Sequence, residues 1–324
     1  MEADEKNKHK TRVCHVKSMP NFRVVYENVQ NPILYRSSRP DFLEGEDLQS
    51  FNELGIKMIV DLRSHSSYKK IKAPKEIDKF YQPYVISLPK KRGYDPGETV
   101  MCKALDKESF SVGSEEISGR QLGVPRKHLF LDFMLPKVMM SYLKMLPWYM
   151  IIYAFFVMLY DIIFRTSFKN FILLLSKQIL NEIGPAKVLC ITMDYSDNLV
   201  CSVLRLLTYK ENVPALINCS HGKDRSGILS ALVLWILGKS EEFILEDYGM
   251  SKEGLEPMKD RLHKEVIVDY GLNPVFCEAN PAVMKEILDH LKMRHGSIEN
   301  YLENIGFGLE EQQKLKKNFG LEED

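Results

Sequence analysis

The stretch from Val213 to Leu237 constrains this chain more than any other. An apolar run, Val213-Pro214-Ala215-Leu216-Ile217, is followed by Asn218-Cys219-Ser220-His221-Gly222-Lys223-Asp224-Arg225-Ser226-Gly227 and then by a second apolar run over 228–237. The first run has the length of a buried strand, the second that of a buried helix of about three turns. Gly238 stands where a helix C-terminal glycine belongs. A cysteine therefore ends a strand, and an arginine opens the helix beyond a short polar loop. Strand and helix joined in this way point to an α/β protein.

Such a loop suits a phosphate dianion. Its amides, including those of Ser220 and His221, can curl inward as a nest, and the helix N-terminus adds partial positive charge. Gly222 lets the backbone approach closely. Arg225 can place two N–H bonds on phosphate oxygens. The same field lowers the pKa of Cys219 and favours a thiolate. A thiolate under a bound phosphoryl group is placed for in-line attack, giving a phospho-cysteine that water then hydrolyses. The Ser226 hydroxyl can stabilise the departing sulfur. Lys223 either adds charge at the pocket floor or is a solvated lysine, and His221 either donates to the substrate or faces water. An inert buried cysteine would not explain the clustering of Lys223, Asp224 and Arg225.

The Cys-x5-Arg-Ser spacing is the signature of cysteine-based phosphatases, and Cys-x-x-Gly-Lys-Asp-Arg-Ser-Gly resembles the bacterial-type and fungal tyrosine phosphatase branch. A second match lies far from the loop. Asn21-Phe22-Arg23, Leu34-Tyr35-Arg36-Ser37-Ser38-Arg39, a helix over 44–55 and a strand over 56–64 containing Asp61-Leu62-Arg63 resemble the opening of the same family. A Gly296-Ser297-x-x-x-Tyr301-Leu302 segment resembles its C-terminal part. The likeness covers roughly 20–90 and 185–315. It implies a cysteine-phosphatase fold, with a central, mostly parallel sheet flanked by helices and a lid-like helical insertion. It also implies Asp224 as general acid, with Asp61 as the alternative, and Asp61 and Arg63 as supporting groups at a strand's carboxyl end. A lysine at position 223 recurs in relatives that take multiply phosphorylated inositol lipids.

Two departures stand out. Relatives carry a glutamate shortly after the strand-end arginine, where this chain has Ser66, Ser67 and Tyr68. Relatives carry histidine before the cysteine, where this chain has Asn218. Asparagine cannot carry charge, so the expectation is a higher Cys219 pKa and slower turnover than in relatives. An iodoacetate inactivation midpoint well below about 6 would remove that idea.

The remainder sets bounds. Charge is balanced, with 44 basic and 44 acidic residues, which gives no general nucleic-acid signal. Six cysteines, at 14, 102, 190, 201, 219 and 277, form no CxxC pair, so neither a metal site, a cofactor nor a disulfide framework is expected. A thiolate enzyme without an apolar leader is expected in the cytoplasm. Residues 1–17 read as a flexible basic tail, or as a weak attachment to anionic lipid, and 18–324 as one phosphatase domain. Residues 81–89 read as another strand, 90–97 as a basic loop with Asp95 a weak further candidate acid, and 98–128 as polar and irregular.

About 129–183 reads as an apolar helical insertion. Residues 148–160 are uncharged and rich in aromatics, and the stretch continues past Asp161 to approach the roughly 20 residues that span a bilayer. A single crossing would put Asp61–Arg63 and the Cys219 loop on opposite sides of a membrane, so it is rejected. Two readings remain: a lid over the active-site face, and peripheral membrane contact through 145–164.

The functional expectation is phosphomonoester hydrolysis through a phospho-cysteine, on phosphotyrosine proteins and also phosphoserine or phosphothreonine ones. The alternatives are a phosphoinositide phosphatase at a membrane surface and a phosphate-binding pseudophosphatase adaptor.

Overall fold

A computed structural model describes residues 16–29, 31–71, 75–87, 100–105, 112–117, 126–133, 136–166 and 168–321. Most of the proposed tail, the basic loop 90–92 and Asp95 lie outside these residues.

Among the described residues, eight strands form one sheet: β1 (Arg23–Glu27), β2 (Pro32–Ser37), β3 (Met58–Asp61), β4 (Gln82–Ser87), β5 (Val100–Leu105), β6 (Val112–Ile117), β7 (Lys127–Phe130) and β8 (Ala215–Asn218). Their order is β1-β2-β8-β3-β7-β4-β5-β6. From β2 to β4 every pairing is parallel, while β1 and the β5–β6 hairpin extend the two sides antiparallel. The mostly parallel centre agrees with a cysteine-phosphatase fold. The segment read as irregular from 98 to 128 instead carries β5, β6 and the start of β7.

β8 lies in the middle, with Leu34 and Met58 both in register with Ala215, and Ser37 and Asp61 both in register with Asn218. Ser37, Asn218 and Asp61 thus end side by side at the carboxyl edge, and Cys219 is the next residue. Strands covered on both faces need apolar residues throughout. Met58, Ile59, Val60, Ala215, Leu216 and Ile217 are all fully buried.

The helices that matter here are α1 (Gly45–Glu53), α2 (Pro136–Leu143), α3 (Trp148–Ile163), α4 (Lys169–Leu175), α5 (Asn181–Asp194), α6 (Asp197–Leu207), α7 (Asp224–Ile236), α8 (Glu241–Gly249) and α9 (Pro281–His295). Alternation splits the strands between two cores. Ala215, Ile217, Met58 and Val60 pack with α6, α7 and α9. Leu216, Ile59 and Tyr35 pack with Phe51 of α1 and with Phe22, whose ring stacks on Tyr35 at 5.5 Å. Asn280 caps α9 by accepting from the Ala282 N–H, with Pro281 at its first turn.

Leu129 belongs to β7, so the helical part of the insertion starts at Pro136. α2, α3 and α4 build a separate small core from Val138, Tyr142, Leu146, Ala154, Phe171 and Leu175. Asp161 does not interrupt α3. It is buried near the helix end, where its carboxylate accepts from the Thr166 hydroxyl, from Asn170 Nδ2 at 2.7 Å and from the Phe171 N–H at 2.8 Å. The acid thereby satisfies the Phe171 N–H in the first turn of α4, one of the donors a helix start leaves without an internal partner. Gly184 breaks the next helix at φ 75°, and Pro185 restarts it. Among the described residues, no helix is long and apolar enough to cross a membrane.

Candidate active site

Cys219 is buried at the floor of the loop between β8 and α7. Its Sγ lies 3.6 Å from Ser226 Oγ on the first turn of α7. Arg225, on the same turn, donates to the Leu62 carbonyl at 2.9 Å and to Ser220 Oγ at 3.2 Å. The first bond anchors the guanidinium to the end of β3, the strand beside β8. Burial by itself would raise the Cys219 pKa. The Arg225 charge, with the Ser226 N–H and hydroxyl, outweighs burial and brings it below the ordinary thiol value, although the Asp224 carboxylate opposes them.

The loop is held from behind. Gly222 sits at φ +67°, and a Cβ there would lie 2.2 Å from the Ser37 carbonyl. Both the dihedral and the contact require glycine. Arg36 Nε and Nη2 donate to the Gly222 carbonyl at 3.2 and 2.9 Å, and Nη2 also donates to the Lys223 carbonyl at 2.7 Å. Asn21 Nδ2 donates to the carbonyls of His221 and Gly222 at 3.1 and 2.9 Å. The loop's carbonyls of residues 221–223 are thus claimed from the outer side.

Asp247 of α8 fixes these anchors, lying 2.5 Å from Arg36 Nη1 and 3.2 Å from Arg23 Nε. Burial would raise the Asp247 pKa, but the two guanidiniums bring it below the ordinary carboxylate value. The motif stretches containing Asn21, Arg23 and Arg36 pointed to a family without disclosing this role. An arginine inside a strand is the one local signal, since buried arginine needs a partner.

Lys223 departs from expectation. Its side chain is buried, and its ammonium donates to the carbonyls of Phe276 and Glu278 at 2.7 and 2.6 Å. It ties the loop to residues 276–278 and is not a charge at the pocket floor. His221 is partly buried, and its Nε2 lies 2.8 Å from Glu265 Oε2, so that nitrogen is already engaged. Burial lowers the His221 pKa despite that carboxylate, and Glu265 is brought to about 2 against its own burial by His221, Arg39 and Arg261.

Asp224 begins α7, accepts from the Tyr248 hydroxyl at 2.8 Å and keeps part of its side chain exposed. Asp61 is wholly buried. Arg63 approaches it at 2.6 Å, His128 lies 3.2 Å away, and Arg63 also pairs with Asp41 at 2.6 Å. Burial would raise the Asp61 pKa, but the Arg63 charge and the His128 bond hold it well below the carboxylate range. A buried carboxylate engaged by Arg63 and His128 in this way is no proton donor, which argues against Asp61 as the alternative acid. Asn218 is buried with no hydrogen-bond partner for its side-chain amide among the described residues.

Two more arginines border the loop. The Arg39 N–H donates to the Ser220 carbonyl at 3.5 Å, and Arg261 Nη2 reaches the same oxygen at 3.4 Å. Both guanidiniums lie over the Phe42 ring, at 5.3 and 5.8 Å. Glu265 pairs with Arg39 at 2.7 Å and lies 3.6 Å from Arg261. Burial and the neighbouring Arg39 bring the Arg261 pKa down to about 10. Arg39 closes a stretch that carries the family resemblance, whereas Phe42, Arg261 and Glu265 had no motif to mark them.

Comparison with known proteins agrees with this architecture. A model of the tyrosine phosphatase family matches residues 15–122 and 187–320. A tyrosine-protein phosphatase of Nostoc commune is 27% identical over 133 residues, covering 36% of this chain and 43% of that relative. The chain belongs to the tyrosine phosphatase family. The matched segments carry the Cys219 loop and the Asn21, Arg36 and Asp247 anchors, while the interval between them contains α2, α3 and α4.

Proposed function

We propose that this chain is a cysteine-dependent phosphoric monoester hydrolase of the bacterial and fungal tyrosine phosphatase branch, acting on phosphotyrosine in proteins. A substrate phosphoryl group enters the loop with its oxygens on the loop N–H groups and the Arg225 guanidinium. Cys219 Sγ attacks phosphorus as the P–O bond breaks, and Asp224 gives its proton to the leaving phenoxide. Water then attacks the phospho-cysteine and passes a proton to the Asp224 carboxylate. The S–P bond breaks, and the Ser226 hydroxyl stabilises the returning thiolate. Arg225 is worth most when charge spreads over the phosphoryl oxygens, because its bond to the Leu62 carbonyl fixes it beforehand.

The observation that carries this reading is the buried Cys219 sulfur, 3.6 Å from Ser226 Oγ, with the Arg225 charge bringing its pKa below the ordinary thiol value. A pure phosphate-binding adaptor has no use for a nucleophile there. A second reading, phosphoinositide hydrolysis, draws support from Arg39 and Arg261 at the rim, since adjacent cations suit a substrate bearing more than one phosphate. It no longer draws support from Lys223. Phosphate release from a phosphotyrosine peptide and from short-chain phosphoinositides, compared for wild type and Cys219→Ser, separates the readings. Cys219-dependent release from the peptide supports the first, and release confined to the lipids supports the second. Release from neither leaves the adaptor.

A further inference from the structure

We propose that α3 is a membrane-surface anchor, lying in the plane of an anionic lipid leaflet with its aromatic face among the acyl chains. This inference rests on α3 and its flanks alone, and not on the phosphatase chemistry.

α3 is apolar nearly all the way round, yet the protein covers little of it. Ala154 and Asp161 are its buried residues. Trp148, Phe156 and Ile163 are 74%, 61% and 71% exposed, and Tyr149, Ile152, Tyr153, Phe155, Tyr160 and Ile162 are also largely open. At about 100° per residue, the exposed positions sweep roughly 200° of the helix circumference. A partner helix or groove covers a narrower stripe. A lipid leaflet imposes no shape and can cover such an arc. An apolar surface this extensive is not left to water without a use.

The sixteen residues of α3 are too few to cross a bilayer but suit an in-plane helix. Its one acid is withdrawn: the Asp161 carboxylate is buried and turned to Thr166, Asn170 and Phe171, so the exposed arc of the helix carries no charge. Trp148 and the three tyrosines combine an apolar ring with a polar tip, as the headgroup boundary favours.

The surroundings choose the lipid. Lys137, Lys144, Arg165 and Lys177 are all exposed around the hairpin. Between 136 and 177 the sequence has no acid besides Asp161. Basic side chains flanking an apolar face match anionic headgroups, each contributing about 1 kcal/mol near the surface. The hairpin is also tied to the segment beside the catalytic loop. Lys169 pairs with Asp269 at 3.0 Å, and Asn181 bonds to the Gly271 carbonyl and the Asn273 N–H at 2.9 and 2.7 Å. Glu265, the partner of His221, lies on that segment.

The test is co-sedimentation of the full chain with phosphatidylcholine vesicles, with and without roughly one-third phosphatidylserine. Wild type and Cys219→Ser are expected to sediment equally with the anionic vesicles, and at least about tenfold more weakly with the neutral ones. The doubly substituted W148S/F156S chain, altered only at exposed positions, should keep its thermal melting curve and bind about a hundredfold more weakly. Three results would overturn the proposal: wild type remaining in the supernatant with both vesicles, W148S/F156S binding as tightly as wild type, or a lipid-free dimer that W148S/F156S dissociates. The last would assign the face to a second copy of the chain.

Discussion

Replacing Asp247 by asparagine tests whether the loop is held from behind. The carboxylate sits between Arg23 and Arg36, all three nearly inaccessible to solvent. Asparagine preserves the shape and one acceptor but leaves two buried guanidiniums without a counter-charge. Breaking a buried pair in this way costs about 3–5 kcal/mol. The Arg23 bond to the Asp247 main-chain carbonyl, 2.7 Å, survives, so the lower end is expected, about 3 kcal/mol at pH 7. For a chain of this size that lowers Tm by roughly 5–10 °C. Asp247 has its pKa depressed in the folded state, so its stabilisation is complete above the unfolded value, about 3.9, and is lost as pH falls through the folded one. The difference between wild type and D247N should be flat from neutral pH to about 5 and close below about 4. Arg36 loses its ion pair while still bonded to the Gly222 and Lys223 carbonyls, so the loop loosens and the iodoacetate midpoint of Cys219 rises. Urea unfolding across pH, with iodoacetate inactivation, measures both effects. A stability change under about 0.5 kcal/mol with an unmoved midpoint would refute the reasoning.

Asp224→Asn should lower kcat by about 10²–10⁴ on a phosphotyrosine peptide, and less on a substrate whose leaving group needs no proton, as steady-state assays on both would measure. Lys223→Met should destabilise by about 2–3 kcal/mol in urea melts, because two buried carbonyls lose their donor. It should reduce peptide and phosphoinositide turnover in equal proportion; a selective loss on phosphoinositides would return Lys223 to the pocket. Glu265→Gln should destabilise by about 2 kcal/mol near pH 7. The Glu265 pKa is lowered to about 2, so that difference is present above the unfolded value, about 4.5, and should shrink in unfolding curves as pH falls toward 2.

The central unit was readable because local signals agree there. The apolar run before Asn218, the polar loop, the buried helix and Gly238 each specify the same strand, turn, helix and stop. Asn280-Pro281 marked a helix start for the same reason. The strands at 100–105 and 112–117 escaped notice because Val-Met-Cys-Lys-Ala-Leu and Val-Gly-Ser-Glu-Glu-Ile lack clean alternation, and they lie at the sheet's edge. Lys223 was misplaced because a lysine beside a phosphate loop suggests a ligand contact, whereas carbonyls more than fifty residues away claim its ammonium. Arg23 and Arg36 are legible as family residues but not as braces, because their partner Asp247 lies more than two hundred residues on. Pairing over that separation leaves no periodicity in the chain. The exposure of α3 was equally hidden, since a buried helix and one facing lipid share the same composition.

The most direct measurement is mass spectrometry of the enzyme quenched in acid during turnover of a phosphotyrosine peptide. The account predicts a phosphoryl adduct on the peptide containing Cys219, accumulating in D224N and missing in Cys219→Ser. Sustained phosphate release by the Cys219→Ser chain, or an adduct on any other residue, would contradict it.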